Sequence, residues 1–254
     1  MIYLNWTANQ VPLATLTASS IATGFDDANL QSQYVPETWR SVSGVLTPTI
    51  AMDFGSAITF DFLAVINHNL QSTGTVVVKA GSSASPDGSQ FKTSLLARDV
   101  DRFRRLPAPQ SFRYITFEFS DAGNADNFIE AGLLLIGLSA RTPIQFNPEW
   151  DLGHQFVNRT QRTDGGVKLA EQVNDYWIMR CKFEGLDDEE FEALYNGIHG
   201  ESHGDLYPLF IIPRERIYFG ILACLNEPQI PKRFHQSAAV FEFYEETRGV
   251  EAGA

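Results

Sequence analysis

Cysteine is nearly absent: only Cys181 and Cys224 occur in 254 residues, each inside a strand-like apolar run. A disulfide framework is therefore not indicated, and buried free thiols are expected. Basic residues are also few. Against 31 Asp and Glu there are 19 Lys and Arg, and the net charge of -12 disfavours phosphate backbones and anionic lipid surfaces as partners. No apolar run is long enough to span a bilayer, so neither nucleic-acid binding nor membrane insertion is expected. The start, Met1-Ile2-Tyr3-Leu4-Asn5-Trp6, lacks the basic stretch and apolar core of a secretory signal, so the chain is expected to fold where it is made or to leave by cell lysis. Ser82 to Gly88 lacks the glycine spacing and lysine of a phosphate-binding loop and reads as a solvated connection.

What is present is apolar and strand-like. With 44% hydrophobic and 20% charged residues, the chain can bury one large core or two modest ones. Up to about Ala140, short apolar runs alternate with Gly, Ser, Asn, Asp and Pro clusters, the pattern of a sheet protein with tight connections. Strands are expected at Ile50 to Phe54, Phe60 to Asn67, Thr75 to Gly81, Phe112 to Phe119 and Ala131 to Ser139. Prolines at 143 and 148 bracket a boundary, which places one domain at 1–142 and a second at 143–247. The second should hold a hairpin turning at Asp164-Gly165-Gly166, a strand over Asn174 to Glu184, and three more at Leu206 to Pro213, Ile217 to Leu225 and Ser237 to Glu245. Its single helix, about 187–199, opens on Asp187-Asp188-Glu189-Glu190, carboxylates that complement the positive end of the helix dipole. Residues 248–254 read as a disordered tail. The fold class is mainly β.

No catalytic set stands out, and the chain is read as a non-enzyme. His199 and His203 flank Glu201 as in a zinc-protease helix, but Gly200 and Gly204 make this a helix exit, not a metal site. Asp26, Asp27 and Asn29 offer oxygen atoms to a hard cation such as calcium, the one cofactor considered. Arg98, Arg102, Arg104 and Arg105 read as salt-bridged surface or a subunit contact, and Asn158-Arg159-Thr160 as a sequon without a secretory context. Of Trp6, Trp39, Trp150 and Trp177, Trp39 lies in the most polar stretch, Pro36 to Ser41; it and Arg40 are the candidates for binding a glycan.

Ala18-Ser19-Ser20, Phe25, Ala28-Asn29-Leu30, Thr38-Trp39-Arg40-Ser41, Ile50 to Gly55 and Ile66-Asn67-His68-Asn69-Leu70 together resemble the discoidin-like, galactose-binding-type jelly roll over roughly the first 140 residues. The versions most similar occur in tail proteins of long-tailed bacteriophages. The resemblance implies an eight-stranded sandwich, end loops that bind sugars, lipids or proteins, and often a structural cation near Asp26 to Asn29. The second part is similar in plan to the sandwich-plus-helix modules of tail tubes and distal tail proteins. The function expected on this basis is a structural component of a phage tail tip or baseplate, located in the virion and made in the host cytoplasm. It would assemble as a ring with itself and other tail proteins; the alternative is a carbohydrate-binding module for a host cell-surface glycan.

Overall fold

The computed structural model describes residues 1–96, 101–142, 151–162, 168–200, 208–212, 221–225, 232–233 and 236–245. The strands, in chain order, are β1 (Ile2–Asn5), β2 (Thr15–Ala18), β3 (Trp39–Arg40), β4 (Thr49–His68), β5 (Thr75–Gly81), β6 (Phe91–Ser94), β7 (Arg102–Ser120) and β8 (Glu130–Gly137). They continue with β9 (Ala140–Arg141), β10 (Asp151–Arg162), β11 (Lys168–Leu186), β12 (Leu209–Ile212), β13 (Ile221–Leu225), β14 (Lys232–Arg233) and β15 (Gln236–Glu245). One helix, α1 (Asp188–Tyr195), runs on into a π turn at Asn196–Gly200. The protein is mainly β, and among the described residues no helix is long and apolar enough to cross a membrane.

The chain forms two compact units, Ala8–Ser139 and, separately, Met1–Thr7 with Ala140–Ala254. This differs from the expected domain at 1–142. The amino-terminal strand β1 pairs with β12, Ile2 opposite Ile212, and with β9, Ile2 opposite Arg141. Ala8–Ser139 is thus inserted, along the chain, between two neighbouring antiparallel strands of the other unit.

The inserted unit is an antiparallel sandwich built on two long strands. β4 has 20 residues and β7 has 19, where the sequence suggested separate short runs. Residues 50–53 of β4 pair with β2 and residues 49–53 with 114–118 of β7, whereas residues 62–68 pair with β8 and 62–65 with 102–105 of β7. Both strands therefore serve two layers, bending where the register shifts at Asp53/Ile58 and Phe60/Phe62. Gly55, at φ +72, supplies the backbone conformation that the bend requires. One core joins the layers: Ile50, Met52, Phe60 and Leu63 of β4 meet Ile115, Phe117 and Phe119 of β7, Val76 and Val78 of β5, and Leu134 and Ile136 of β8. Full burial of each such side chain is worth about 1.5–3 kcal/mol.

The outer unit is one antiparallel sheet in the order β10-β11-β15-β13-β12-β1-β9, with β14 beside β15. Phe183, Phe241, Phe243, Leu209, Ile211 and Met179 form its core together with Met1 and Tyr3, and Leu194 and Ile198 of the helical segment pack on it. Cys181 is a free thiol in this core, as expected, and burial pushes it up to about 12. Asn5 Nδ2 donates to Gly197 O at 2.9 Å, and the Tyr3 hydroxyl leaves no room for a side chain at Gly197, so β1 is keyed to the π turn. The turn expected at Asp164 to Gly166, Trp150, the side chains of Trp177 and Cys224, and the tail 248–254 lie outside the described residues.

Candidate functional site

Strand alternation decides the roles of the two residues singled out for glycan binding. In the two-residue strand β3, paired with β8 through Trp39 opposite Ala131 and Arg40 opposite Glu130, successive side chains face opposite ways. Trp39 faces inward. It is 0% exposed, lies 5.8 Å from the Phe119 ring, and its Nε1 donates to Ser20 O at 3.0 Å. The expectation that Trp39 stacks on a sugar is corrected: the indole is core, and the polar stretch around it is polar because its neighbours face outward.

Arg40 faces outward into a built setting. Its Nε and Nη2 both donate to Glu130 Oε2, at 3.0 and 2.7 Å. The Phe25 and Phe128 rings cover its guanidinium, their centroids 4.0 and 4.2 Å from Cζ. Cation–π contact with the two rings and an ion pair on the Nε–Nη2 edge leave Nη1, on the side away from Glu130, open. Nη1 of Arg40 and Oε1 of Glu130 have no hydrogen-bond partner among the described residues, and the two side chains keep 21% and 20% of their surface exposed. A donor on Arg40 and an acceptor on Glu130 are thus left over by the ion pair. Ile21 and Val42, 42% and 47% exposed, lie close by in the chain, tied in by Ala22 N donating to Arg40 O and Val42 N to Ser20 Oγ.

The site rests on a hydrogen-bonded scaffold. Asn69 Oδ1 accepts from Glu130 N at 2.8 Å, and its Nδ2 donates to Phe128 O and to Asp126 Oδ2, both at 3.0 Å. Asn124 Nδ2 donates to Asn69 O and to Asp121 Oδ2, at 3.0 and 3.2 Å. Asp121 also accepts from Gln71 N, and the buried Arg102 donates to Gln71 O and Gly74 O. Burial pushes the Arg102 pKa down, and the nearby Asp121 carboxylate opposes that shift. Arg102 is therefore an internal brace, not the surface group expected of the arginine cluster; Arg98 lies outside the described residues. Arg105 does form the expected ion pair, with Asp61 at 3.7 Å.

Sequence reasoning named Arg40 but missed Glu130 and Phe128, which are about 90 positions away in the chain. Only the 67–70 motif hinted at them, through Asn69. Composition adds a further signal: Arg40 is the single Lys or Arg in residues 1–78, and none occurs in 114–140.

The proposed calcium ligands serve three different backbone groups. Asp26 caps the short helical turn Asp27–Gln31 by accepting from Ala28 N, Asp27 Oδ2 accepts from Ala18 N, and Asn29 Nδ2 donates to Thr38 O. The Ala28 amide, then the Asp27 side chain, hold the Asp26 carboxyl below its usual range. These are turn-stabilising contacts of Asp and Asn, and among the described residues no group of three or more His, Cys, Asp and Glu is placed to hold a metal ion. His199 lies in the π turn with its ring 4.7 Å from Tyr195, whereas Glu201 and His203 lie outside the described residues, as do the side chains of Asn158, Arg159 and Thr160. A groove of about 210 Å³, lined by Ser82, Ser83, Ser85, Asp87, Ser89 and Gln90, occupies the β5–β6 connection.

No protein-family model matches the chain, and no curated protein matches it. Among solved structures, a chitosan-binding module of a chitosanase/glucanase from Paenibacillus sp. IK-5 is similar at 17% identity and TM-score 0.43, over 50% of this chain and 97% of that one. A family 32 carbohydrate-binding module from C. perfringens NanJ, solved with galactose, is 10% identical over 54% of this chain and 99% of its own, with a TM-score of 0.41. A fucosidase from Ruminococcus gnavus, solved with fucose, is 16% identical over 54% of this chain but only 28% of its own, with a TM-score of 0.41. Likeness at this level transfers neither ligand nor activity.

Proposed function

We propose that the chain is a non-catalytic binding protein whose inserted unit engages a carbohydrate at the Arg40–Glu130 end. The observation that carries this reading is the part-exposed Arg40–Glu130 ion pair, whose guanidinium is in contact with the Phe25 and Phe128 rings and keeps Nη1 available as a donor. A sugar presents adjacent hydroxyls that accept and donate hydrogen bonds, and apolar C–H faces that pack on aromatic rings. A glycan array probed with the full chain tests it: retained glycans that are lost on Arg40→Ala support the reading, and no binding to any glycan overturns it.

A second reading is assembly by protein contacts, with the chain in a phage tail tip or baseplate. The feature favouring an assembly role is β10, a 12-residue strand at the end of the outer sheet whose far edge has no strand neighbour among the described residues. Such an edge presents unpaired backbone groups to another chain. Light scattering on the purified protein tests self-association, and cryo-electron microscopy of particles tests the tail location. A particle that lacks the chain sinks the tail reading.

A further inference from the structure

We propose that two copies of this chain join through their β10 edges, in a two-fold antiparallel pairing that sets Asp151 of each copy opposite Arg159 of the other. This rests on the assembly reading above and names the partner and the register.

β10 carries none of the usual guards of an edge strand. Its 12 residues make it about twice the common strand length, and it holds neither proline nor lysine. Its ladder with β11 shifts where Val157 pairs with Asn174 and Asn158 with Gln172, so the extra residue is Val173 of β11 and β10 itself runs unbroken. β11 pairs with β15 only from Ile178 onward. Among the described residues, 154–162 of β10 and 168–177 of β11 are therefore a two-stranded ribbon, a form that is marginal in water on its own. A second copy supplies the same ribbon. Edge-to-edge pairing turns the two into a four-stranded sheet, β11-β10-β10-β11, continuous with the outer sheet of each copy.

Backbone geometry restricts the register. In an antiparallel pair, residues directly opposite each other both direct their N–H and C=O groups at the partner or both direct them away, and the two states alternate along a strand. When a strand pairs with its own copy by the same edge, opposite residues must be an even number of positions apart in the sequence. Asp151 is the only acidic residue of β10, and Arg159 and Arg162 are its arginines. Arg162, an odd number of positions from Asp151, is excluded; Arg159, an even number away, is allowed. Setting Asp151 opposite Arg159 puts the two-fold axis at Gln155, and the symmetry repeats the pair on the other side of it. Leu152 then lies opposite Asn158, Gly153 opposite Val157 and His154 opposite Phe156. No other permitted register opposes unlike charges, and this one opposes no like charges. Unlike charges at opposite positions stabilise paired strands and like charges destabilise them, so charge favours a second copy in this register over an arbitrary extended segment.

Light scattering on the purified full chain, with Asp151→Arg and Arg159→Asp made singly and together, tests the pairing. The parent should dimerise, each single reversal should raise the dissociation constant by at least about ten-fold, and the double reversal should restore it to within about three-fold, because it only exchanges the opposed charges. Gln155→Cys locates the axis. Residues directly opposite in an antiparallel pair have Cα atoms about 4.5–5.5 Å apart, within disulfide reach, so this variant should oxidise to a covalent dimer. Leu152→Cys, whose opposite residue is Asn158, should not. A general loss of folding would weaken the double reversal as much as the singles. That result, a monomeric parent, or cross-linking of Leu152→Cys as readily as Gln155→Cys overturns the inference. A dimer insensitive to either single reversal also overturns it and leaves self-association standing through another surface, while the tail location is decided separately by the particles.

Discussion

Asp53 and Arg113 form an exposed ion pair with a defined consequence for acid stability. Two hydrogen bonds from Arg113, at 2.7 and 2.8 Å, lower the Asp53 carboxyl to about 2. A depressed pKa stabilises the folded state above the unfolded value of about 3.9, and the contribution is lost as pH falls through the folded one. Melting temperatures between pH 4 and pH 2 should therefore fall less steeply in Asp53→Asn than in the parent. Trp39→Ala, by emptying a core position, should cost about 3–5 kcal/mol in denaturant unfolding. At Asp26, Asp27 and Asn29 the contacts are to backbone, so adding calcium or a chelator should leave the melting temperature unchanged; a clear rise with calcium would restore the cation site. At this scale the sequence was only partly legible. Trp39 and Arg40 could be named as a pair, but which one faces the core depends on a two-residue strand pairing with β8, a partner 90 positions away that no local pattern reveals.

Among the elements, α1 is the one whose start is written most plainly in the chain. Asp187 Oδ1 accepts from Glu190 N at 2.8 Å and Glu190 Oε2 from Asp187 N at 3.2 Å, a reciprocal capping box. Asp187→Ala should destabilise the outer unit by about 1 kcal/mol, measured as a shift in its unfolding midpoint. The helix end was less legible: the expected span to about residue 199 instead passes into a π turn after Tyr195, where the Gly197 carbonyl is taken by Asn5. In the same way Gly55, and Pro107 and Pro109, look like breakers between short strands. They fall where the β4–β7 ladder is interrupted, so the backbone bends there without leaving extended structure. Apolar patterning found the strands; it could not show that two of them are continuous, because the bend depends on the layers they join.

At the scale of the whole molecule, the insertion of Ala8–Ser139 between β1 and β9 makes a prediction about independence. Joining Thr7 to Ala140 through a short Gly/Ser loop should leave the outer unit folded, since Tyr3 and Ala140 are already direct partners. Removing Met1–Thr7 instead should unfold the outer unit, which would lose Met1, Tyr3 and β1, while the inserted unit keeps its circular dichroism and melting transition. The mainly β class and the change of character near residue 140 were readable from composition and proline placement. The return of the first strand to the second unit was not, because Ile2 and Ile212 meet only through pairing across the whole chain.

That pairing also fixes how the molecule carries force. Tension applied between the amino-terminal strand and β15 runs across the hydrogen bonds of β1, β12, β13 and β15, all within one sheet, and need not pass along residues 8–139. The inserted unit is mechanically in parallel with its host. Under load it stays slack until β1 tears from β12, so the inserted unit can keep its shape while the outer sheet bears the strain.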